Sequence, residues 1–218
     1  MKILDVLPLA LPDVKVIRFA RFSDERGYFT EPYRKSDFFS HPQMGFMKGI
    51  EFLQVNESLS KPRVVRGLHF QWNPRMGKLL RTVKGRMIDL ALDIRKGSPG
   101  FGKIVAYDMP SEARRGCGEW IWVPPGFAHG NFFTEETAIE YFCSAEYSPG
   151  SEAGISPLAA DIDWSLCEPG LRKLFSEISA GALLSDKDRA GLSVSAWKAD
   201  PRSDQFIFGR KSPDLSAR

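Results

Sequence analysis

Histidine is scarce in this sequence, and its scarcity argues against a catalytic metal. The 218 residues include three histidines, His41, His69 and His129, and none of them belongs to a His-x-His pair. A metal-dependent enzyme on a small β-barrel would need two or three clustered imidazoles plus a carboxylate. His69 and His129 could project into one barrel, but two ligands make a poor metal site. The sequence therefore predicts no metal.

Cysteines and long apolar runs are also few, and neither sign of charge dominates. Three well-separated cysteines do not suit a disulfide framework or a zinc site, so reduced and mostly buried thiols are expected. No apolar run approaches the roughly 20 residues of a membrane span, and no signal peptide is evident. A net charge of +3 is too small to attract nucleic acid or membranes. These features predict a soluble, cytoplasmic protein.

The abundant pattern is the alternation of apolar and polar residues that is typical of β-strands. In Arg86 to Ile94, four apolar side chains share one face and Asp89 and Asp93 share the other, which predicts a half-buried strand. Lys84-Gly85 separates this run from Lys78 to Val83, and the two runs are predicted to pair as a hairpin. Further strands are predicted at Val14 to Phe19, Tyr28 to Tyr33, Phe52 to Ser58, Lys103 to Met109, Glu119 to Val123 and Thr137 to Ser144.

Turn-rich segments between these runs indicate an all-β fold, a jelly roll or related barrel. The barrel core is expected at about residues 45 to 150, after short N-terminal strands. Helices are predicted at Lys35 to His41 and within Leu171 to Ile178. Residues 165 to 218 are expected to form a helical and irregular appendage, frayed from Arg202 to Arg218. A barrel of this length is usually one domain, so residues 1 to 218 are treated as one.

Several polar residues could transfer protons, and residue type alone leaves their roles open. Arg66 and His69 are three apart, which places them on opposite faces of a regular strand, but Gly67 permits a bulge that changes this. Imidazole is a suitable base near neutral pH, although a lone strand histidine is more often structural. Lys78 and Tyr141 could point inward as an oxyanion partner and a proton donor, or lie at the surface.

A series of short motifs along the chain gives a more specific prediction. The motifs are Phe22-Ser-Asp-Glu-Arg-Gly-Tyr-Phe-Thr-Glu31, Gln54-Val-Asn56, Val65-Arg-Gly-Leu-His-Phe-Gln71, Gly77-Lys78, Lys84-Gly85, Lys96-Gly-Ser-Pro99, Phe101-Gly-Lys103 and Val123-Pro-Pro-Gly-Phe-Ala-His-Gly130. From about residue 10 to 164 the chain thereby resembles the dTDP-4-dehydrorhamnose 3,5-epimerase family of the cupin superfamily. The resemblance implies a cupin-type jelly-roll barrel that needs neither metal nor cofactor. It also implies an enzyme that inverts C5 and C3 of dTDP-4-keto-6-deoxy-glucose by removing a proton next to the C4 ketone and returning it on the opposite face.

The resemblance also implies catalytic roles. His69 matches the base, and Tyr141, eight residues before Pro149, matches the acid on the other face of the sugar. Lys78 matches the residue that stabilises the enolate oxygen. The enzyme needs such a residue because an unpaired oxyanion in a dry barrel is costly. Asp188 lies in a segment similar to the family's late Leu-Ser-x-Lys-Asp, where a carboxylate fixes the tautomer of the base.

Binding roles are implied in the same way. Arg26, Arg66 and Lys187 match partners of the diphosphate and the sugar, which they bind through charge-assisted hydrogen bonds. Tyr147 matches an aromatic residue that stacks on the nucleobase. Further substrate contacts are implied for Glu31, Gln54, Asn56, His129 and Glu152. In this family the N-terminal region that carries Arg26 reaches into the neighbouring subunit, so a homodimer is implied.

Two alternative functions are open beside this one. A relative that inverts only C3 or only C5, or that acts on another nucleotide-linked 4-keto sugar, would share the base and the acid. A cupin that binds a nucleotide sugar without turnover would lack one of them, and the sequence has both. The 3,5-epimerase of the route to dTDP-L-rhamnose is therefore the preferred interpretation.

Overall fold

The computed structural model describes residues 1–112 and 116–210, which form mostly β-structure. The strands are β1 (Ile3–Pro8), β2 (Lys15–Ala20), β3 (Phe22–Asp24), β4 (Gly27–Phe29), β5 (Gln54–Ser60), β6 (Val65–Gln71), β7 (Lys78–Lys84), β8 (Arg86–Asp93), β9 (Ile104–Pro110), β10 (Cys117–Val123), β11 (Phe127–Phe133), β12 (Thr137–Cys143) and β13 (Glu152–Gly154). The helices are α1 (Lys35–Ser40), α2 (Pro169–Ser179), α3 (Asp186–Arg189) and α4 (Val194–Ala199), with short 3₁₀ turns at Pro42–Met47, Pro149–Ser151 and Pro201–Gln205.

Two antiparallel sheets pack face to face around an apolar interior. The larger sheet has six strands in the order β1-β2-β10-β7-β12-β5, and the smaller has five in the order β13-β6-β11-β8-β9. Side chains from both sheets fill the space between them, including Val16, Leu80, Ile121, Met87 and Phe133. The prediction of an all-β barrel is confirmed. Because β1 and β2 belong to the larger sheet, its core begins at Ile3 rather than near residue 45.

Strand β8 is buried on both faces, so the prediction that it is half-buried is wrong. Its two acidic residues face the interior between the sheets, where Asp89 is 1% exposed and Asp93 is fully buried. Its apolar face packs against the C-terminal helices, in a cluster with Phe175 and Trp197. The periodicity in β8 identified two faces correctly. It could not show that the appendage covers the second one.

The predicted hairpin across Lys84-Gly85 is also wrong. β7 lies between β10 and β12 in the larger sheet, whereas β8 lies between β11 and β9 in the smaller sheet. Gly85 has the positive φ that was expected, +81°, but it turns the chain from one sheet to the other. A Cβ atom at Gly85 would lie 2.4 Å from the carbonyl oxygen of Glu136, so only glycine fits this crossing.

The N-terminal region departs from the prediction in one place. The strand predicted at Tyr28 to Tyr33 ends at Phe29, since β4 pairs only with the short strand β3 in a separate two-stranded hairpin. The helix predicted at Lys35 to His41 is present as α1. The three cysteines are not joined by disulfides, and Cys143 and Cys167 are buried.

The C-terminal appendage packs on the outer face of the smaller sheet. Trp197 on α4 is completely buried, and its indole nitrogen donates a hydrogen bond to the carbonyl oxygen of Ile94 at 3.1 Å. Phe206 is buried as well, and its carbonyl oxygen accepts a hydrogen bond from the backbone of Lys96. The chain is therefore packed rather than frayed between Arg202 and position 210, and positions 211–218 lie outside the described residues. No helix in residues 1–112 and 116–210 is long and apolar enough to cross a membrane.

Replacing Trp197 with alanine is expected to lower the free energy of unfolding by about 3–5 kcal/mol, because a large buried ring leaves a cavity. Urea denaturation followed by far-UV circular dichroism measures the change. Phe208→Ala is the matched control, since this ring is 44% exposed, and it should cost under about 1 kcal/mol. Equal losses in the two variants would contradict the view that the appendage is part of the core.

Candidate active site

A cavity of about 580 Å³ opens between the two sheets. The smaller sheet forms one side through β6 and β11, and the larger sheet forms the other through β5, β7 and β12. The segment from Leu183 to Asp188 closes one wall. Seven of the residues predicted for the site line this cavity, namely Arg66, His69, Lys78, His129, Tyr141, Lys187 and Asp188.

A bulge in β6 brings Arg66 and His69 to the same cavity. His69 pairs with His129 and Arg66 pairs with Asn131, so three residue steps on β6 face two on β11. Gly67 makes the bulge possible with a φ of +109°. A Cβ atom there would lie 2.6 Å from the Cα atom of Gly130. Of the bulge or twist that this glycine permits, the structure has the bulge.

His69 and Asp188 form a close pair. His69 Nε2 lies 2.5 Å from Asp188 Oδ1, and the other carboxylate oxygen accepts a bond from the Gly67 amide at 3.4 Å. Burial raises the pKa of Asp188, but the hydrogen bond from His69 and the other hydrogen bonds that this carboxylate accepts outweigh it, so the pKa lies below its ordinary value. Asp188 is thus ionised at neutral pH and holds the proton on Nε2, which leaves Nδ1 as the basic nitrogen. Nδ1 has no hydrogen-bond partner among the described residues.

Lys78 places an amino group at the cavity wall. Lys78 on β7 is paired across the strands with Cys143 on β12. Its side chain lies on the inner face of the larger sheet, as does that of Leu80. Burial lowers the pKa of Lys78, and the nearby Cys143, Glu152 and Asp89 oppose that shift only partly. Within residues 1–112 and 116–210, Nζ forms no hydrogen bond or ion pair. It is available to a negative oxygen of a ligand.

Tyr141 lies on the opposite side of the cavity from His69. It belongs to β12 of the larger sheet and is paired across the strands with Asn56 and Leu80. Burial raises the pKa of Tyr141, and the hydrogen bond with Asn56 opposes this only in part. The phenol is therefore protonated at neutral pH and can act as an acid.

His129 is held by a residue that was not predicted for the site. His129 Nε2 lies 2.7 Å from Asp89 Oδ2, and both side chains are buried. Burial lowers the pKa of His129 more than the carboxylate raises it, so the imidazole is neutral. The alternation in β8 placed Asp89 opposite the apolar stripe, and this was the signal that could have identified it. An acidic residue opposite the apolar face of a strand lies either in solvent or in a buried polar site.

A hydrogen-bond network at the mouth links the other predicted contacts. The Gln54 amide donates to Asn56 at 2.9 Å and accepts from the backbone of Tyr147 at 2.8 Å. The Tyr147 hydroxyl donates to Glu152 at 3.0 Å, and Lys187 forms an ion pair with the same carboxylate. Burial raises the pKa of Glu152, but these two donors lower it below its ordinary value.

Two predicted residues do not reach this cavity. The Arg26 side chain is 84% exposed at the tip of the β3–β4 hairpin, where it pairs with Asp24. Glu31 contacts the N-terminal amine of Met1 and the guanidinium of Arg34. The single chain therefore leaves Arg26 and Glu31 outside its own site.

The arrangement suits proton transfer at carbon. A base supported by a carboxylate lies on one sheet, whereas a phenolic acid and a lysine lie on the other. Such groups can remove a proton next to a carbonyl, stabilise the enolate and return a proton on the opposite face. In residues 1–112 and 116–210, no group of three or more His, Cys, Asp or Glu side chains is placed to hold a metal ion.

Comparison with known proteins agrees with this geometry. The family model of dTDP-4-dehydrorhamnose 3,5-epimerase matches residues 8–195. The enzyme of that name from Shigella flexneri is 36% identical over 192 residues, which cover 86% of this chain and 94% of the relative. The Salmonella typhimurium enzyme is 39% identical over 184 residues, which cover 82% and 94%.

A solved structure extends the similarity to the fold. The dTDP-6-deoxy-D-glucose-3,5-epimerase of Legionella pneumophila, in complex with dTDP-4-keto-L-rhamnose, superposes with a TM-score of 0.76. It is 29% identical, and the match covers 96% of this chain and 99% of that one. The chain belongs to the dTDP-4-dehydrorhamnose 3,5-epimerase family and has its cupin-type jelly-roll fold.

Proposed function

We propose that this enzyme converts dTDP-4-keto-6-deoxy-glucose into dTDP-4-keto-L-rhamnose by inverting C5 and C3. The observation that carries the proposal is the His69–Asp188 pair on one sheet facing a cavity whose opposite sheet presents Tyr141. Inversion at carbon needs a base on one face of the sugar ring and an acid on the other. The ligand of the Legionella enzyme is the product that such a reaction gives.

The first half of the reaction removes a proton. His69 Nδ1 takes the proton from C5, the electrons of the C–H bond form a C4–C5 double bond, and the ketone oxygen becomes an enolate. Asp188 stabilises the imidazolium that forms. Lys78 donates a hydrogen bond to the enolate oxygen, which is strong in a site that excludes water.

The second half returns a proton from the other side. Tyr141 gives its phenolic proton to the opposite face of C5, and the enolate electrons restore the ketone. The imidazolium then loses a proton to solvent and the phenolate gains one, so the enzyme regains its starting state. The same groups act on C3 in a second round, because C3 is also next to the C4 ketone.

The nucleotide end of the substrate has its own candidate partners. Arg66 and Lys187 supply positive charge for the diphosphate. In the free chain Lys187 pairs with Glu152, so a bound diphosphate would compete for this ammonium group. Tyr147, 53% exposed at the mouth, offers its ring to the nucleobase. Gln54, Asn56, Glu152 and His129 complete the proposed set of contacts.

The test is the structure of the product. Purified protein is incubated with dTDP-4-keto-6-deoxy-glucose, and proton couplings on the sugar ring report the configuration at C3 and C5. Inversion at both carbons supports the proposal. Inversion at one carbon would identify a mono-epimerase, and binding without conversion would identify a nucleotide-sugar-binding cupin. dTDP-6-deoxy-glucose, which lacks the ketone, is the control and should bind without reaction.

Replacing Lys78 with methionine is expected to lower kcat about 100-fold, because the enolate oxygen loses its preorganised partner. The KM should change much less, since the ground-state ketone is neutral. Steady-state kinetics on the same substrate measure both constants. Lys84→Met is the matched control: it removes an exposed lysine from the far end of the same strand. Wild-type kcat in Lys78→Met would contradict this role.

We also propose that the enzyme is a homodimer. The β3–β4 hairpin exposes Phe22, Tyr28 and Phe29, which are 56%, 58% and 71% exposed. Val55 and Leu59 are exposed on β5, an edge strand of the larger sheet. Exposed apolar side chains grouped in this way on the hairpin and on the edge strand mark an interface. A second copy of the chain would cover them and would bring Arg26 and Glu31 to the partner's cavity.

Mixed dimers test whether Arg26 serves the neighbouring site. Arg26→Ala and His69→Ala are each expected to lower activity strongly when assayed alone. After unfolding and refolding together, a mixed dimer would contain one site with both changes and one with neither. We therefore expect about a quarter of the wild-type activity from an equimolar mixture, since half of the dimers are mixed and each has one intact site. Activity no higher than that of the two separate variants would contradict the shared site.

The proposed substrate also indicates a compartment. Nucleotide sugars carry a charged diphosphate that does not cross an apolar membrane unaided. Three cysteines that form no disulfide are typical of a reducing environment. We therefore place the enzyme in the cytoplasm, where nucleotide sugars are made.

A further inference from the structure

Two buried oxygen atoms in the cavity wall have no hydrogen-bond donor among the described residues. They are Oδ1 of Asn131 and Oδ1 of Asp89. Asn131 is 4% exposed and Asp89 is 1% exposed, and the two residues are direct cross-strand partners on β11 and β8. Directly paired residues project from the same face of a sheet with Cβ atoms about 4.5–5.5 Å apart. These directly paired residues therefore each carry a buried acceptor that lacks a donor, which is unfavourable for both.

We infer that the Asn131 amide turns so that Nδ2 donates to Asp89 Oδ1, and that this bond positions the Asp89–His129 pair for substrate. The nitrogen and oxygen of an amide are nearly equal in size, so its partners decide its orientation. When Nδ2 points away from Asp89, its one acceptor is the thioether of Met87 at 3.8 Å, which is weak. Turning the amide gives the carboxylate a donor and loses only that contact.

The hydrogen bond from Asn131 affects His129 through the carboxylate of Asp89. Asp89 Oδ2 is 2.7 Å from His129 Nε2. With Asn131 on the other oxygen, the carboxylate cannot rotate freely and keeps the His129 proton on Nε2. Nδ1 of a neutral His129 is then an acceptor for a hydroxyl group of the sugar. Asn131 is thus a positioning residue that acts through Asp89. The contact with the sugar rests on the proposed function, whereas the orientation of the imidazole does not.

Two variants of nearly the same size separate this role from simple packing. Asn131→Leu removes the donor at every pH. Asn131→Asp keeps the shape and donates only when it is protonated. Its carboxyl group would face Asp89 and His129 directly, with Arg66 opposite on β6 and with Lys78 and His69 on the neighbouring cavity walls. Two facing carboxyls share a proton at low pH and repel one another once both ionise.

Nitrogen-15 NMR of histidine-labelled protein tests the inference without substrate. Three histidines give three imidazole pairs, and His41→Ala and His69→Ala assign them. We expect wild-type His129 as a single Nε2–H tautomer, and a mixture of tautomers in Asn131→Leu. A wild-type His129 protonated on Nδ1, or a His129 spectrum that is unchanged in Asn131→Leu, would overturn the inference. Thermal melting confirms that each variant is folded.

Steady-state kinetics provide a second test of the role of Asn131. Asn131→Leu should raise the KM for dTDP-4-keto-6-deoxy-glucose about tenfold and change kcat less, at all pH values. The kcat/KM of Asn131→Asp, relative to wild type, should rise as the pH falls, because protonation restores the donor. A ratio that is flat with pH in Asn131→Asp would contradict the hydrogen bond. If the substrate itself is wrong, wild type is inactive as well, while the NMR result still stands.

Discussion

Replacing His69 with alanine is expected to lower kcat about 10³-fold or more, the largest effect of any single change in the site. The imidazole removes the proton from carbon, and Asp188 stabilises the imidazolium that forms. His69 Nε2 is 2.5 Å from Asp188 Oδ1, so removing the ring also leaves a buried carboxylate without its partner. The KM should change little, because the base contacts a C–H bond that contributes little to binding.

The measurement is steady-state kinetics on dTDP-4-keto-6-deoxy-glucose, with His41→Ala as the matched control. His41 lies at the start of a 3₁₀ turn outside the cavity, where it caps the backbone of Gln43. The His41→Ala variant should retain activity within about twofold of wild type, since surface substitutions usually have small effects. More than a tenth of wild-type kcat in His69→Ala would contradict its assignment as the base.

Replacing Tyr141 with phenylalanine should separate proton removal from inversion. The base is intact, so the enolate still forms, but no acid lies on the opposite face to complete the inversion. We expect conversion to product to fall about 10³-fold, while in deuterated water the substrate slowly exchanges hydrogen with its configuration retained. Exchange with retention is expected because the His69 imidazolium can return a deuteron to the face from which it took the proton.

Proton NMR of the Tyr141→Phe reaction measures both outcomes at once. The loss of a ring proton signal reports exchange, and new couplings report inversion. Tyr33→Phe is the matched control, because this ring packs against Phe38 and Phe52 outside the cavity. Product formation at the wild-type rate in Tyr141→Phe would show that another group delivers the proton.

Strand positions were predicted well where the alternation of apolar and polar residues is regular. β7, β8 and β12 lie within a residue or so of their predicted bounds. In β11 every residue from Phe127 to Phe133 is buried. Apolar and polar residues therefore do not alternate there, and a search for alternation misses this strand. The error at Gly85 has a different cause: a positive φ indicates a turn, but pairing with distant strands decides which sheet each arm joins.

The site was predicted from motifs rather than from local pattern. Seven predicted residues line the cavity, and four others join the network at its mouth. Asp89 was missed because alternation was interpreted against one core, whereas β8 has a core on each side. Asn131 carries no sequence signal at all, since its importance depends on the residue paired with it across the sheet.

Inversion of two carbons next to one ketone is the reaction that we propose for this cavity. Its most direct test is proton NMR of dTDP-4-keto-6-deoxy-glucose in deuterated water, with wild type and His69→Ala compared side by side. The account predicts loss of both the C3 and C5 proton signals with wild type and retention of both with the variant. Exchange at one carbon only, at neither carbon, or at equal rates in both proteins would contradict it.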